Sequence, residues 1–164
     1  MALLLNLPTF NQYDSHMIFG LPIHPLVVHA AVILMPAAAL AALVMSYLPS
    51  FSRRYGKLVL GVSLVGLISL FAARWSGEEL QEIVGGEIER HQNLGNLTPF
   101  ISLPLVALIY IRWRMDREGA NIGSPAIRRL VSILLVFSAL ASLAYVALAG
   151  HSGAELVWGW VSKN

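Results

Sequence analysis

"GLPIHPLVVHAAVILMP", residues 20–36, opens an apolar run that continues to Leu48 and carries two imidazoles at its mouth, His24 and His29. The length of that run decides the fold. A bilayer core needs about 20 apolar residues at a rise of ~1.5 Å per residue, and Pro25–Leu48 meets that need. Three more apolar stretches follow at Leu58–Ala73, Leu97–Ile111 and Leu130–Ala149. The last suffices on its own, and the two shorter ones are completed by flanking Gly, Ser, Trp and Arg that reach the interface. With 57% hydrophobic residues, 12% charged and a mean hydropathy of +0.68, the composition excludes a soluble domain. The expected fold class is an all-α membrane protein: four transmembrane helices in an up-down bundle, a single domain over residues 1–164.

The chain has no cysteine, which removes disulfides, thiolate metal sites, iron–sulfur clusters and covalent haem attachment together. "MALLLNLPTF" at the N-terminus is apolar but lacks a basic region and a small-residue cleavage site, so it reads as an interfacial segment and not as a signal peptide. Eight of the eleven basic residues (Arg53, Arg54, Lys57, Arg112, Arg114, Arg117, Arg128 and Arg129) fall in the two loops, "SFSRRYGK" and "RWRMDREGANIGSPAIRR", that join spans one and two and spans three and four. Arg74, Arg90 and Lys163 fall on the opposite side. The positive-inside rule then puts the basic side in the cytoplasm and both termini outside, as a multi-pass protein of the bacterial cytoplasmic membrane. Seven of the nine acidic residues lie on the outer side, a surface able to attract a basic soluble partner. No nucleic-acid partner is expected.

All five histidines share that outer side: His16 and His24 before helix one, His29 in its first turns, His91 before helix three and His151 after helix four. Their clustering is the strongest functional signal in the chain. Glu78 and Glu155, each in an "SGxEL" past a helix end, read as partners that orient an imidazole or as ordinary surface solvation. No Asp, Glu, Lys or Arg is expected well inside any span, which argues against an ion pathway or voltage sensor. "GEELQEIVGGEIERHQN" reads as a short amphipathic helix broken at Gly85-Gly86 that roofs the histidines, and Gly150 as the terminator of helix four.

Sliding the sequence against itself by 75 or 76 residues aligns "HMIFG" (16–20) with "HQNLG" (91–95), Arg53-Arg54 with Arg128-Arg129, and "WSGEEL" (75–80) with "HSGAEL" (151–156). This suggests a duplicated two-helix hairpin, with pseudo-repeats over about 16–80 and 91–156 and an axis along the membrane normal. On that register only His16 and His91 form a symmetric pair.

His24 and His29 are five residues apart, so on a helix they diverge by about 140° and cannot chelate one ion from a single face. Three readings stand side by side. In the first, imidazoles from different helices hold haem b, with Arg74 and Arg90 suited to the propionates. In the second, His29, His91 and His151 hold zinc or copper, with Glu78 or Glu155 as a carboxylate ligand. In the third, the histidines are interfacial and bond carbonyls and lipid headgroups.

At "GLPIHPLVVHAAV", "HQNLG" and "GHSGAELVWG" the chain resembles a bacterial family of predicted four-helix membrane proteins, domain of unknown function 2231. Its HPxxVH motif falls on His24, Pro25 and His29, its His-x-x-x-Gly on His91 and Gly95, and its glycine-rich motif on Gly150, His151 and Gly153. That last motif usually carries a double glycine, where this chain has Gly153-Ala154. The resemblance implies a role for these histidines, and such domains look similar to haem-binding redox membrane proteins. The expected function is haem b-dependent electron transfer, with His29, His91 and His151 as preferred ligands and His24 as a fourth candidate. Its partners would be membrane lipid and either a larger membrane redox complex or a soluble electron carrier. A bound chlorin is a variant of this reading; an accessory subunit without chemistry is the alternative.

Overall fold

The computed structural model describes residues 17–18, 21–84, 89–117, 123–159 and 161. Two-residue strands β1 (Met17–Ile18) and β2 (Leu21–Pro22) pair antiparallel ahead of helix α1 (Ile23–Tyr47). Helices α2 (Pro49–Val84), α3 (Glu89–Arg117) and α4 (Pro125–Trp158) follow. All four helices are long and apolar enough to cross a membrane, as expected. Hydrocarbon offers backbone N–H and C=O groups no water, and the helix satisfies them within one segment. The N-terminal segment, with Asp14 and His16, lies outside the described residues.

The helices form a ring in which α1 and α3 each pack against both α2 and α4, with a lighter contact between α1 and α3 across the diagonal. A single residue, Leu48, separates α1 from α2. Pro49 has no N–H to continue α1 and restricts the residue before it, so the chain turns there. The α3–α4 connection is longer and ends at Gly123, whose φ of 80° is accessible to glycine. Ser124 then caps α4, its hydroxyl accepting from the Ile127 N–H, with Pro125 in the first turn.

The helices exceed their apolar cores at both ends. Every basic residue expected in a loop on the arginine side lies in a helix: Arg53, Arg54 and Lys57 in α2, Arg112, Arg114 and Arg117 in α3, Arg128 and Arg129 in α4. "GEELQEIV" is not a separate roof, because α2 continues unbroken to Val84, and Gly85-Gly86 lie outside the described residues. Gly150 does not end α4, which runs on to Trp158. A lone glycine costs a helix only about 1 kcal/mol relative to alanine, and the contacts beyond it (below) hold the last turns in place.

Small residues let the helices approach. Ala31, Ala38, Ala39 and Ala42 share the buried face of α1 with Met35 and Met45. A Cβ on Gly66 of α2 would stand 3.2 Å from the Met35 nitrogen, the close approach that small residues permit in membrane bundles. Large apolar side chains point outward instead, Ile33, Ile68 and Phe137 being 65%, 67% and 67% exposed. Such a surface suits lipid and not water.

Burial follows two registers. Ala31, Met35, Ala38, Ala39, Ala42 and Met45 of α1 are buried, and so are Thr98, Ser102, Leu105, Val106, Ile109 and Arg112, each 67 residues later in α3. In α2 and α4 the spacing is 76, relating Val59, Ser63, Gly66 and Leu70 to Leu135, Ala139, Ser142 and Val146. The register of 75 or 76 read from the sequence therefore holds for the second helix of each hairpin but not the first. The longer α3–α4 connection accounts for the difference.

At the arginine end the interior is charged. Arg112 and Asp116, just beyond the apolar run that ends at Ile111, are only 6% and 2% exposed. Asp116 pairs with Arg112 at 2.7 Å through Oδ2 and with Arg128 at 2.9 Å through Oδ1. Arg112 also donates to Ser132 Oγ at 2.6 Å, and Arg128 to the Met115 carbonyl at 3.0 Å. Charges end an apolar run in a sequence, yet here they continue the helix and pair within it. Removing one partner of a buried pair leaves the other uncompensated, so Asp116→Ala is expected to cost about 3–5 kcal/mol. The triple substitution Arg112→Met/Asp116→Leu/Arg128→Met, which removes both of the carboxylate's partners with it, should cost much less. Thermal unfolding of the detergent-solubilised protein measures both, and equal losses would contradict the assignment.

Candidate functional site

The opposite end of the bundle holds the histidines. His24 lies in the first turn of α1 and places Nδ1 3.0 Å from Ser76 Oγ of α2. The Ser76 hydroxyl gives its one proton to the Ala72 carbonyl at 2.8 Å. With that proton committed, the imidazole is the donor to Ser76. His91 in the first turn of α3 repeats the arrangement against α4: Nδ1 stands 3.0 Å from Ser152 Oγ and 3.1 Å from the Ala149 carbonyl. Ser152 in turn donates to Ala149 at 2.9 Å. The Ala149 carbonyl only accepts, so His91 Nδ1 carries the hydrogen, as His24 Nδ1 does against a serine whose proton is committed.

Glycine shapes both cradles. A Cβ on Gly77 would lie 3.0 Å from His24 Cε1, and one on Gly153 would lie 3.0 Å from His91 Cε1. Each ring thus lies against the bare backbone of the next helix, anchored by the preceding serine. The shared "SG" of "WSGEEL" and "HSGAEL" is this cradle, a signal present in the sequence beside the glutamates. The symmetric partner of His91 is therefore His24 and not His16. The two rings sit at one end of the bundle, in the first turns of the diagonal helices α1 and α3. Among the described residues neither Nε2 has a hydrogen-bond partner.

The other expected ligands are placed apart. His29 is exposed, and its Nδ1 donates to the Pro25 carbonyl one turn back at 2.5 Å. His151, 67% exposed at its side chain, puts Nε2 3.3 Å from Glu155 Oε1. Glu155 also meets Arg90 at 3.6 Å, which ties α3 to α4 on the surface. Arg74 pairs with Glu78 at 3.4 Å and donates to Asn96 Oδ1 at 3.2 Å. The triad expected to hold zinc or copper (His29, His91 and His151) is not brought together, and among the described residues no three His, Asp or Glu side chains form a metal-binding group.

The model of the family described as predicted membrane protein DUF2231 matches residues 20–162, which include both clasps and all four helices. The chain belongs to that family. No curated protein and no solved structure matches it. The DUF2231 match begins four residues before His24 and ends beyond Gly153, so both histidine–serine–glycine clasps lie inside the family unit.

An interhelical hydrogen bond in a membrane protein is worth about 0.6 kcal/mol on average and up to ~1.7. Ser152→Ala leaves the Ala149 carbonyl in place, so its cost should fall in that range with the His91 tautomer unchanged. Gly153→Val should cost more and turn the ring out of its cradle. Histidine-selective nitrogen NMR in micelles distinguishes the tautomers, and an Nε2-protonated ring at position 24 or 91 of the wild type would contradict the arrangement described.

Proposed function

We propose that this multi-pass membrane protein binds haem b between His24 and His91 and carries electrons across the face of the membrane at which they lie. The carrying observation is the pair of matched imidazoles with Nδ1–H engaged and Nε2 bearing a lone pair. A ligating histidine usually donates its other ring N–H to a carbonyl or similar acceptor, which fixes its tautomer and orientation. Two such rings from different helices of a bundle are the donor set of a bis-imidazole haem. Open space lies one turn beyond His91, where a Cβ on Gly95 would meet nothing within 4 Å. When bound, haem supplies a one-electron couple between ferric and ferrous iron. The chain's own residues hold the two nitrogens in place, and Arg74 and Arg90, paired with Glu78 and Glu155, are the cations at that end that would meet the propionates. His29 and His151 leave the ligand set.

The basic residues gather at the opposite end, and the positive-inside rule then orients the histidines to the outside of a bacterial cytoplasmic membrane. A soluble electron carrier or a larger membrane redox complex would be the partner there.

The test is a reduced-minus-oxidised absorption spectrum of the full chain, expressed with haem available and purified in mild detergent. Paired α and Soret shifts are expected in the wild type, in His29→Ala and in His151→Ala. His24→Ala and His91→Ala should each lose the low-spin spectrum. A wild type without haem bands overturns the reading and leaves an accessory subunit, and bands that survive both substitutions overturn the ligand pair.

A further inference from the structure

The arginine end carries eight of the eleven basic residues and two of the nine acids, Asp116 and Glu118. Asp116 is closed in the interior between Arg112 and Arg128. Three of the exposed cations, Arg53 and Lys57 of α2 and Arg117 of α3, gather on one flank of the α2–α3 seam. Trp113 fixes that seam. A Cβ on Gly56 would stand 2.7 Å from Trp113 Cγ, so the indole lies on the bare backbone of α2. Arg53 and Lys57, three residues before Gly56 and one after it, are turned about 60° and 100° from the contact, on the side away from buried Ser52 and Val59. On α3, Arg117 follows Trp113 by one turn, and its guanidinium lies 5.6 Å from the centre of the Trp113 ring.

The positive-inside rule counts such charges but does not group them. Arg53 and Lys57 are like charges at i,i+4, a pairing that weakens a helix. The twin seam between α4 and α1 avoids it. The spacings of 76 and 67 that relate the hairpins carry Arg53 to Arg129 but Lys57 to Ile133 and Trp113 to Ser46. Helix α1 ends at Tyr47, before any counterpart of Arg117. Three cations on one seam face one on the other.

Depth identifies the anion they suit. The apolar stretches end at Leu58 in α2 and Ile111 in α3. Lys57, Arg53 and Arg117 lie one, five and six residues beyond those ends, from ~1.5 to ~9 Å along the helices, which spans the headgroup layer of a bilayer. Toward the membrane centre the same flank continues in Leu64, two turns from Lys57, and Tyr110, one turn before Trp113, both exposed. A phosphodiester would meet the cations there while its acyl chains follow the apolar side chains. A headgroup with its own ammonium would add a fourth cation to the cluster, so the complementary lipid is anionic.

We infer that the α2–α3 seam at the arginine end binds the phosphate of an anionic phospholipid between Arg53, Lys57 and Arg117. Trp113 holds the Arg117 guanidinium by its ring face and leaves the in-plane N–H donors to the phosphate. The site is independent of the haem reading.

Native mass spectrometry of the full chain in nonionic detergent, titrated with dioleoyl phosphatidylglycerol, tests this. One saturable adduct is expected, with dioleoyl phosphatidylcholine bound at least about tenfold more weakly. Each cation near a lipid phosphate is worth about fivefold in affinity. Arg53→Gln, Lys57→Gln and Arg117→Gln should each weaken phosphatidylglycerol binding by about that factor. Arg129→Gln removes the same charge from the twin seam and should leave the affinity within about twofold of wild type. All four positions are exposed, and unfolding temperatures verify that the variants are folded. The absence of a saturable adduct, equal affinity for the two lipids, or a loss in Arg129→Gln equal to that in Lys57→Gln would each overturn the proposal. Displacement of the lipid by excess inorganic phosphate would also overturn it, by assigning the cluster to a free anion.

Discussion

A hydroxyl or ring N–H carried into hydrocarbon must find its acceptor within the protein, and the rest of this structure depends on that constraint. Several serines and the threonine in the spans meet it locally, whereas Ser102 and Ser142 bond each other between α3 and α4 and buried Ser52 has no partner among the described residues. Ser46, Ser69 and Thr98 each donate to the carbonyl four residues back, and Ser63 to the one three back. Ser76 and Ser152 do the same with the carbonyls of Ala72 and Ala149. Once its proton is committed, a hydroxyl oxygen still has lone pairs to offer. At Ser76 and Ser152 those lone pairs accept from imidazoles on neighbouring helices. A residue type that satisfies its own helix thereby becomes the means of joining two.

The two ends solve the same problem with different chemistry. At the arginine end a carboxylate is closed between two guanidinium groups, and Arg128, at 26% side-chain exposure, keeps part of its charge near the interface. Removing either partner there would strand a charge, so the cluster serves structure and leaves nothing over for a ligand. At the histidine end the clasps use neutral donors. Each consumes one ring nitrogen and leaves the other with a lone pair. A leftover acceptor on a ring held in place is where chemistry from outside the chain can enter.

Four spans were legible because hydrophobic length is a direct consequence of bilayer thickness, and no tertiary knowledge is needed to see it. Helix ends were less legible. Arg53, Arg112 and Arg128 close the apolar runs, but charge marks only where hydrocarbon ends and not where the helix does. The clustering of histidines on one side was visible from the order of the spans, whereas their grouping was not. A single sliding register cannot accommodate a loop that lengthens between hairpins, so it paired His91 with His16 and hid His24. Burial of Arg112 and Asp116 was also illegible, because an i,i+4 ion pair within a helix looks in sequence like two residues of a solvated loop. His29 illustrates the limit from the other direction. The motif places it beside His24, and only the helix shows the two diverging.

Matching and mismatched positions in the two hairpins call for different explanations. Where they match, as at His24 and His91 with Ser76 and Ser152, the same contacts hold the same helix pair together twice. The mismatches divide further. At Met35 and Gly66 against Ser102 and Ser142, a backbone approach is exchanged for a hydrogen bond of 2.8 Å, and the helices still pack. Arg74 and Asn96 against Gly150 and His29 are not such an exchange, since a bonded pair gives way to open space and an unpaired acceptor. A seam that lost packing without compensation would weaken the bundle on one side only.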